Sequence, residues 1–287
     1  MPYFSIIIPL YNCANTLNNT LQSISAQTFD DYELVLVDGG STDDTLRIIT
    51  DFKNANSPIK TKLLSEPDKG IYDAMNKGVD MAAGQRLYFM GGDDRFRGPD
   101  VLAAIMKALE QEDADLIYGN VEGISSKINY KYDTESKVLS KGIHHQSAFY
   151  KSSLFQQIGK YDLRFPIAAD YHFTLKVFLN DHYRKRYVDL NIALYGEGGY
   201  SSQQFDYKFF SGHYRMLAAY NGTAKLADPQ ECLDNSIYCC LYLAGKKKEL
   251  AYAWSNLLYY LTCKTKPHGV YKAKIFLRML MWTLKPA

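Results

Sequence analysis

The chain has 287 residues, 47% of them hydrophobic, which is enough for one large α/β domain with a smaller appendage and argues against disorder. Its formal net charge is only +2, so it lacks the basic excess of a dedicated nucleic-acid binder, and no nucleic-acid partner is expected. Its five cysteines (Cys13, Cys232, Cys239, Cys240 and Cys263) form no CxxC pair or zinc pattern, and no apolar run reaches the roughly 18 residues of a bilayer span.

Reduced thiols in a cytosolic protein are the expected state. The opening MPYFSIIIPLYN has no basic region or cleavage site of a secretion signal and reads as a strand. The predicted elements begin there, with a buried strand over Phe4 to Leu10. A helix follows over Asn15 to Ala26, with Leu17, Leu21 and Ile24 on one face and Asn15 or Thr16 as its cap. Tyr32 to Val37 is a second strand. Asp38-Gly39-Gly40-Ser41 turns the chain into a helix over Thr42 to Phe52, capped by Ser41 or Thr42. Lys62 to Ser65 reads as a third strand, Tyr72 to Ala83 as a helix and Arg86 to Met90 as a fourth strand. Such alternation predicts a mainly parallel sheet flanked by helices on both faces.

Asp115 to Tyr118 is a further strand, and residues 121 to 143 are polar with expected hairpin strands. Helices are expected over Ser152 to Gly159 and Asp170 to Leu179. From about Tyr207 the chain becomes helical and rich in Leu, Tyr and Ala. A catalytic domain is therefore expected over 1–205, in halves of about 1–98 and 99–205, with a helical extension over 206–287.

In parallel α/β sheets, ligands bind beyond the carboxyl ends of the strands. Tyr11-Asn12, Asp38 and Asp93-Asp94 all fall at such ends. In FMGGDDRF, two glycines let the backbone bend and two carboxylates follow, the natural ligands of Mg²⁺ or Mn²⁺. The same pattern fits an Asp-rich turn. Asp38 in VDGGSTDDT suits a base or ribose contact, or a helix cap. EPDKGIYDAMNKG runs a glycine turn into a helix N-terminus, which suits an anion, with Lys69 near phosphate. Asp170 in PIAADYHF lies among small apolar residues, where a carboxylate serves as a base or a cap. His144 and His145 precede Gln146 in GIHHQSAFY. No GxxxxGK[ST] or GxGxxG loop is present, which argues against P-loop enzymes and Rossmann dehydrogenases.

Taken in order, SIIIPLYN, VDGGSTDDT, EPDKGIYDAMNKG and FMGGDDRF resemble the nucleotide-binding half of the family 2 glycosyltransferases. HHQSAFYKSSLFQQIGKYD and AADYHF are similar to their acceptor half. The resemblance covers about residues 3 to 180 and is closest in kind to bacterial surface-polysaccharide enzymes. It implies the inverting type of enzyme with a GT-A fold, Rossmann-like with a mainly parallel central sheet, and a nucleotide-sugar donor, most often a UDP-sugar. It also implies a divalent cation, Mn or Mg, and a glycan or lipid-linked acceptor. By this resemblance, Pro9, Tyr11 and Asn12 line the base pocket and Asp38 bonds the uracil or ribose. Lys69, Asp73 and Asn76 lie near the diphosphate or donor sugar. Asp94 is the metal ligand, Asp93 a ribose or metal contact, and Asp170 the catalytic base. His145 and Gln146 contact the acceptor or diphosphate. The first acidic position of the family's D-x-D is occupied by a glycine here, which leaves the ligand set open.

Residues 246 to 287 carry Lys246, Lys247, Lys248, Lys264, Lys266, Lys272, Lys274, Arg278 and Lys285 against one acid, Glu249. With interleaved Trp254, Leu258 and Phe276, this suits peripheral contact with an anionic bilayer. The alternatives are packing on the catalytic domain, with the lysines on the wet face, or a homo-oligomer. The expected location is cytoplasmic, at the inner face of the membrane. Two rival readings are a nucleotidyltransferase, which would need a Gly-rich, Arg-containing loop where YNCANTL stands, and a non-catalytic sugar-binding module.

Overall fold

The computed structural model describes residues 1–199, 206–246 and 249–263, with six further positions between 273 and 281. Two compact units are present: Met1–Thr134 with Gly142–Ser202, and Glu135–Lys141 with Gln203–Ala287. The boundary expected near residue 205 lies outside the described residues, as do Lys247, Lys248, Lys264, Lys266, Lys272, Arg278 and Lys285.

The first unit begins with β1 (Phe4–Leu10), α1 (Leu17–Ser25), β2 (Tyr32–Asp38), α2 (Thr45–Ala55), β3 (Lys60–Ser65), α3 (Ile71–Met81) and β4 (Arg86–Phe89). All seven residues of β1 and all seven of β2 are buried. That explains their continuous apolar runs: both faces of the sheet are covered by helices. The polar Ser5 and Glu33 survive inside because they satisfy each other. Ser5 Oγ donates to Glu33 Oε1 at 2.7 Å, and Lys62 reaches the other oxygen at 2.9 Å.

The chain continues with β5 (Arg95–Phe96), α4 (Val101–Gln111), β6 (Leu116–Gly123) and β7 (Asn129–Tyr130). After α5 (Glu135–Lys141), which belongs to the second unit, come β8 (Ala148–Lys151), α6 (Ser152–Gln157), α7 (Ala169–Phe178) and β9 (Lys185–Tyr195). The sheet order is β3-β2-β1-β4-β8-β6-β9-β5, with β7 on β6. Strands β1 to β4 pair in parallel, whereas β8 pairs antiparallel with both β4 and β6. The expected mainly parallel sheet flanked by helices is present. Three strands, β5, β8 and β9, were not expected, and residues 121 to 143 hold one short hairpin strand and a helix.

The order reverses between β1 and β4: the chain steps from β1 outward to β2 and β3, then returns to pair β4 on the other side of β1. A crevice opens at the carboxyl end of such a switch point. Pro9 is tolerated in β1 because β4 pairs only with Phe4 to Ile7 and ends before it.

The second unit packs α5 with α8 (Tyr207–Ala219), α9 (Pro229–Lys246) and α10 (Leu250–Thr262). Asp206 caps α8 by accepting from the Phe209 amide at 3.1 Å. His213 is fully buried; its ring nitrogens meet Ser236 Oγ at 2.9 Å and the Leu139 carbonyl at 2.8 Å. Burial lowers its pKa to about 4, so it is a neutral packing element. All five cysteines are unpaired. Among the described residues no helix is long and apolar enough to cross a membrane.

Candidate active site

The loop after β1 is fastened to the loop after β2. Three successive amides, of Asn12, Cys13 and Ala14, donate to Ser41 Oγ, Thr45 Oγ1 and Asp43 Oδ2 at 2.8, 2.8 and 3.0 Å. Asn12 takes a left-handed φ of 51° and its Oδ1 accepts from the Thr42 amide at 2.9 Å. This accounts for the density of small polar residues in VDGGSTDDT. They do not cap as expected: α2 starts at Thr45, and Ser41 Oγ serves Asn12 instead. Tyr11, 63% exposed, stands at the tip of this loop. Pro9 is buried within β1.

Asp38 ends β2 and is fully buried. Its carboxylate accepts from the Gly40 amide at 3.1 Å, Ser65 Oγ at 2.7 Å and the Ser41 amide. It holds the 39–41 turn, and its oxygens are engaged by the protein.

Thr16, just before α1, and Thr20, within it, pin the loop after β4. Thr16 Oγ1 donates to the Gly92 carbonyl at 2.8 Å, so it also does not cap its helix. Thr20 Oγ1 reaches the Asp94 carbonyl at 2.7 Å. The two adjacent carboxylates then diverge. Asp94 is 1% exposed. Its Oδ2 accepts from the Gly91 amide at 2.6 Å and Gln146 Nε2 at 2.7 Å, and its Oδ1 from the Gly196 amide at 2.8 Å. Asp94, read in the sequence as the metal ligand, is thus an internal tie joining the ends of three segments. Asp93 has no side-chain donor on its carboxylate among the described residues. Burial, followed by repulsion from Asp94, raises its pKa to about 6. It lies against Gly196, where an added Cβ would crowd its carboxylate, so any larger residue there would displace the Asp93 side chain.

The helix carrying EPDKGIYDAMNKG begins at Gly70, whose φ of 111° calls for glycine. Asp73 Oδ2 accepts from the Lys69 amide at 3.0 Å. The Lys69 side chain is exposed and has no partner among the described residues. Asn76 uses both ends of its amide on Tyr161, donating to its carbonyl and accepting from its N–H at 2.9 Å each. Like Asp38, Asn76 therefore braces the fold, although both were expected at the nucleotide.

Asp170 sits in the first turn of α7 and is gripped from two directions. Tyr72 Oη and the Tyr171 amide donate to its Oδ1, each at 2.7 Å. His145 Nδ1 lies 3.3 Å from Oδ2. The Ile167 carbonyl lies 2.8 Å from the same hydroxyl, so the single Tyr72 proton is shared between it and Asp170. His145 opens a short 3-10 turn (His145–Ser147) before β8. Burial opposes charge on this imidazole, but the Asp170 hydrogen bond and the charges of Asp170, Asp94 and Asp93 prevail and raise its pKa. Among the described residues its buried Nε2 has no hydrogen-bond partner, and neither has the buried Gln146 Oε1. His144 is different: burial lowers its pKa to about 4, and it packs between Tyr130 and Tyr195.

The structure therefore brings Asp93, Asp94, His145, Gln146 and Asp170 into one connected group, through Asp94–Gln146 and His145–Asp170. Tyr72, Thr20 and Gly196 belong to the same construction and carried no assigned role in the sequence, and Thr16 was expected only as a helix cap. Among the described residues no group of three or more His, Cys, Asp or Glu forms a metal cluster. A divalent cation still fits this donor set. Mg²⁺ and Mn²⁺ commonly take one or two carboxylates and complete their shell with water and substrate phosphates. Asp93 has the lone pairs for that role.

The sequence model described as Glycosyl transferase family 2 matches residues 5–187. Among the relatives is the PGL/p-HBAD biosynthesis glycosyltransferase of Mycobacterium tuberculosis, 42% identical over 214 residues, covering 72% of this chain and 82% of the relative. The chondroitin synthase of Escherichia coli is 31% identical over 188 residues, covering 62% of this chain but 26% of that protein. S. aureus TarS, solved with UDP-GlcNAc, has a similar fold with a TM-score of 0.68 at 19% identity, covering 90% of this chain and 80% of that one. The mannosyltransferase PcManGT of Pyrobaculum calidifontis, solved with GDP-Man and Mn²⁺, aligns with a TM-score of 0.58 at 18% identity, over 99% of this chain and 86% of that one. With the switch-point crevice and its acidic pair, these likenesses place the chain in the GT-A fold, and it belongs to glycosyl transferase family 2 as a glycosyltransferase.

Proposed function

We propose that the protein is an inverting glycosyltransferase that moves a sugar from a nucleotide diphosphate sugar, a UDP-sugar in the first instance, to a hydroxyl of a glycan or lipid-linked acceptor. The observation that carries this reading is the hydrogen-bonded chain Tyr72–Asp170–His145 beside the Asp93–Asp94 pair. The role in surface-polysaccharide assembly, at the inner face of the cytoplasmic membrane, rests on the family resemblance.

Asp170 is the general base. Its Oδ1 already accepts two hydrogen bonds, whereas Oδ2 has one contact at 3.3 Å and keeps a lone pair for an incoming hydroxyl. Asp170 takes the acceptor proton as that oxygen attacks the anomeric carbon, and the bond to the diphosphate breaks on the opposite face. One displacement inverts the anomeric centre. His145, held by Asp170 through Nδ1, directs its unpartnered Nε2 function to the diphosphate, where a positive imidazolium favours the leaving charge.

Asp93 is the cation ligand in this reading, with Asp94 setting its backbone through Gly91, Gly196 and Gln146. A divalent cation bound there would offset the charge of the departing nucleotide. Tyr11 and Asn12 flank the nucleobase with the 39–41 turn that Asp38 holds, and Lys69 and Asp73 lie on the phosphate side. A UDP-sugar is favoured because the related TarS fold was solved with UDP-GlcNAc, although PcManGT holds GDP-Man.

The test is nucleotide release from a panel of UDP- and GDP-sugars with Mn²⁺ or Mg²⁺, comparing the wild type with Asp93→Ala. Cation-dependent release from one donor, lost in the variant, supports the reading. Release that is independent of cation and of Asp93 would remove the metal role. No binding of any sugar nucleotide would favour a non-catalytic module.

A further inference from the structure

The helical unit carries a surface that no role in catalysis explains. The 13 residues of α10, LAYAWSNLLYYLT, contain no charged side chain. One face is the unit's core: Ala253, Asn256, Leu257 and Tyr260 are buried. A second face, with Trp254, Leu258 and Leu261 at positions i, i+4 and i+7, faces outward. Leu258 is 64% exposed and Leu261 37%. The Trp254 ring meets Phe276 at 6.1 Å, and Phe276, Leu277 and Met281 are themselves 42%, 58% and 55% exposed. A soluble surface helix usually places charges where α10 places leucine and tryptophan.

Charge is supplied instead at the flanks, and all but one of these charges are positive. Lys246, Lys247 and Lys248 precede the helix, and Lys264, Lys266, Lys272, Lys274 and Arg278 follow it. The one acid of this stretch, Glu249, already accepts from Tyr207 Oη. The stretch is more positive than the whole chain, which is only +2, so the remainder carries net negative charge.

We infer that this face of α10, with Phe276, Leu277 and Met281, is a docking surface for an anionic bilayer. The inference deepens the reading of a lipid-linked acceptor by naming the surface and the lipid charge that would bring the enzyme to it. The helix is about 20 Å long, too short to cross the roughly 30 Å hydrocarbon layer, so it lies in the interface with its apolar side chains among the acyl chains. The basic residues that flank the helix in the sequence supply the charge that attracts anionic headgroups. A second copy is disfavoured as the occupant. An isologous contact would face this positive stretch with the same stretch of the second copy, which holds one acid in its sequence.

The experiment is co-sedimentation of the full chain with vesicles of phosphatidylcholine alone and with about 30% phosphatidylglycerol, a content typical of an anionic test surface. Both tryptophans of the chain, Trp254 and Trp282, lie in this stretch and report insertion by a blue shift of emission. Binding is expected only with the anionic vesicles, accompanied by the blue shift and abolished by high salt. Leu258→Glu with Leu261→Glu is expected to weaken it at least about tenfold, and each of Lys264→Gln and Lys266→Gln about fivefold. Nucleotide release to a soluble acceptor should be unchanged in these variants, because none touches the catalytic group. Vesicle binding needs no turnover, so failure of this surface and failure of the transferase reading are separately visible. Absent or charge-independent binding would overturn the inference. So would a wild-type dimer that the leucine variants convert to monomer without any change in vesicle binding.

Discussion

Replacing Asp93 by Asn should stabilise the metal-free protein while removing its activity. Burial and the neighbouring Asp94 raise the Asp93 pKa from an ordinary 3.8 to about 6 in the fold. Ionisation therefore opposes folding: the penalty is complete above pH 6 or so, shrinks as pH falls and is absent below the unfolded value. The shift corresponds to at most about 3 kcal/mol, and solvent around a partly exposed carboxylate reduces this to about 1–2 kcal/mol. For a chain of this size, Asp93→Asn should melt about 2–6 °C higher than wild type at pH 8 in a chelator. The gap should be mostly gone by about pH 4. Adding Mn²⁺ should raise the melting temperature of the wild type and leave the variant unchanged. Differential scanning fluorimetry across pH reads all three effects. Equal melting at pH 8, or a gap that widens as pH falls, would refute the assignment of Asp93 as a strained carboxylate awaiting a cation.

Other substitutions separate reacting groups from supports. Tyr72→Phe removes one donor from Asp170 Oδ1 and should lower kcat about tenfold while the donor KM stays constant, as steady-state kinetics would show. Gly196→Ala crowds the Asp93 carboxylate and should weaken cation-dependent turnover by shifting it, measured as UDP release across Mn²⁺ concentrations. Asn76→Ala breaks the paired bonds to Tyr161 and should lower stability by about 1–3 kcal/mol in urea unfolding. Its donor KM should move little if Asn76 is a brace, and a selective loss of donor affinity would return it to the nucleotide site.

Much of the nucleotide half was legible in the sequence. Phe4–Leu10 and Tyr32–Asp38 announce themselves because both sheet faces are buried and the runs are uninterrupted. β9, KRYVDLNIALY, gave no comparable signal: most of its residues are only half-buried, and Asp189 and Asn191 break the alternation. β8 is four residues long and runs directly into a helix, while α5 is a seven-residue helix in a polar stretch that packs in the other unit. Short elements fixed by distant partners leave little local pattern.

The site was legible as chemistry but less so as geometry. The motifs pointed to Asp93, Asp94 and Asp170, and the structure joins them with His145 and Gln146 in one connected group. Which of two adjacent aspartates has free oxygens depends on Gly196 and Gln146, far along the chain, and no local spacing carries that information. Tyr72 was visible inside EPDKGIYDAMNKG, but its partner lies 98 residues away. Asp38, at the end of β2, and Asn76, within α3, are polar residues of the right motifs whose functional groups are engaged by the fold itself.

The central claim is that Asp170 takes the acceptor proton in a single inverting displacement, and Asp170→Asn with a donor established by nucleotide release tests it most directly. Donor affinity by calorimetry should stay within about threefold of wild type, transfer should fall about 10³-fold, and the wild-type product should have the anomeric configuration opposite to the donor's by NMR. A variant that transfers within about tenfold of wild type, or a wild-type product that retains the donor's configuration, would contradict the account.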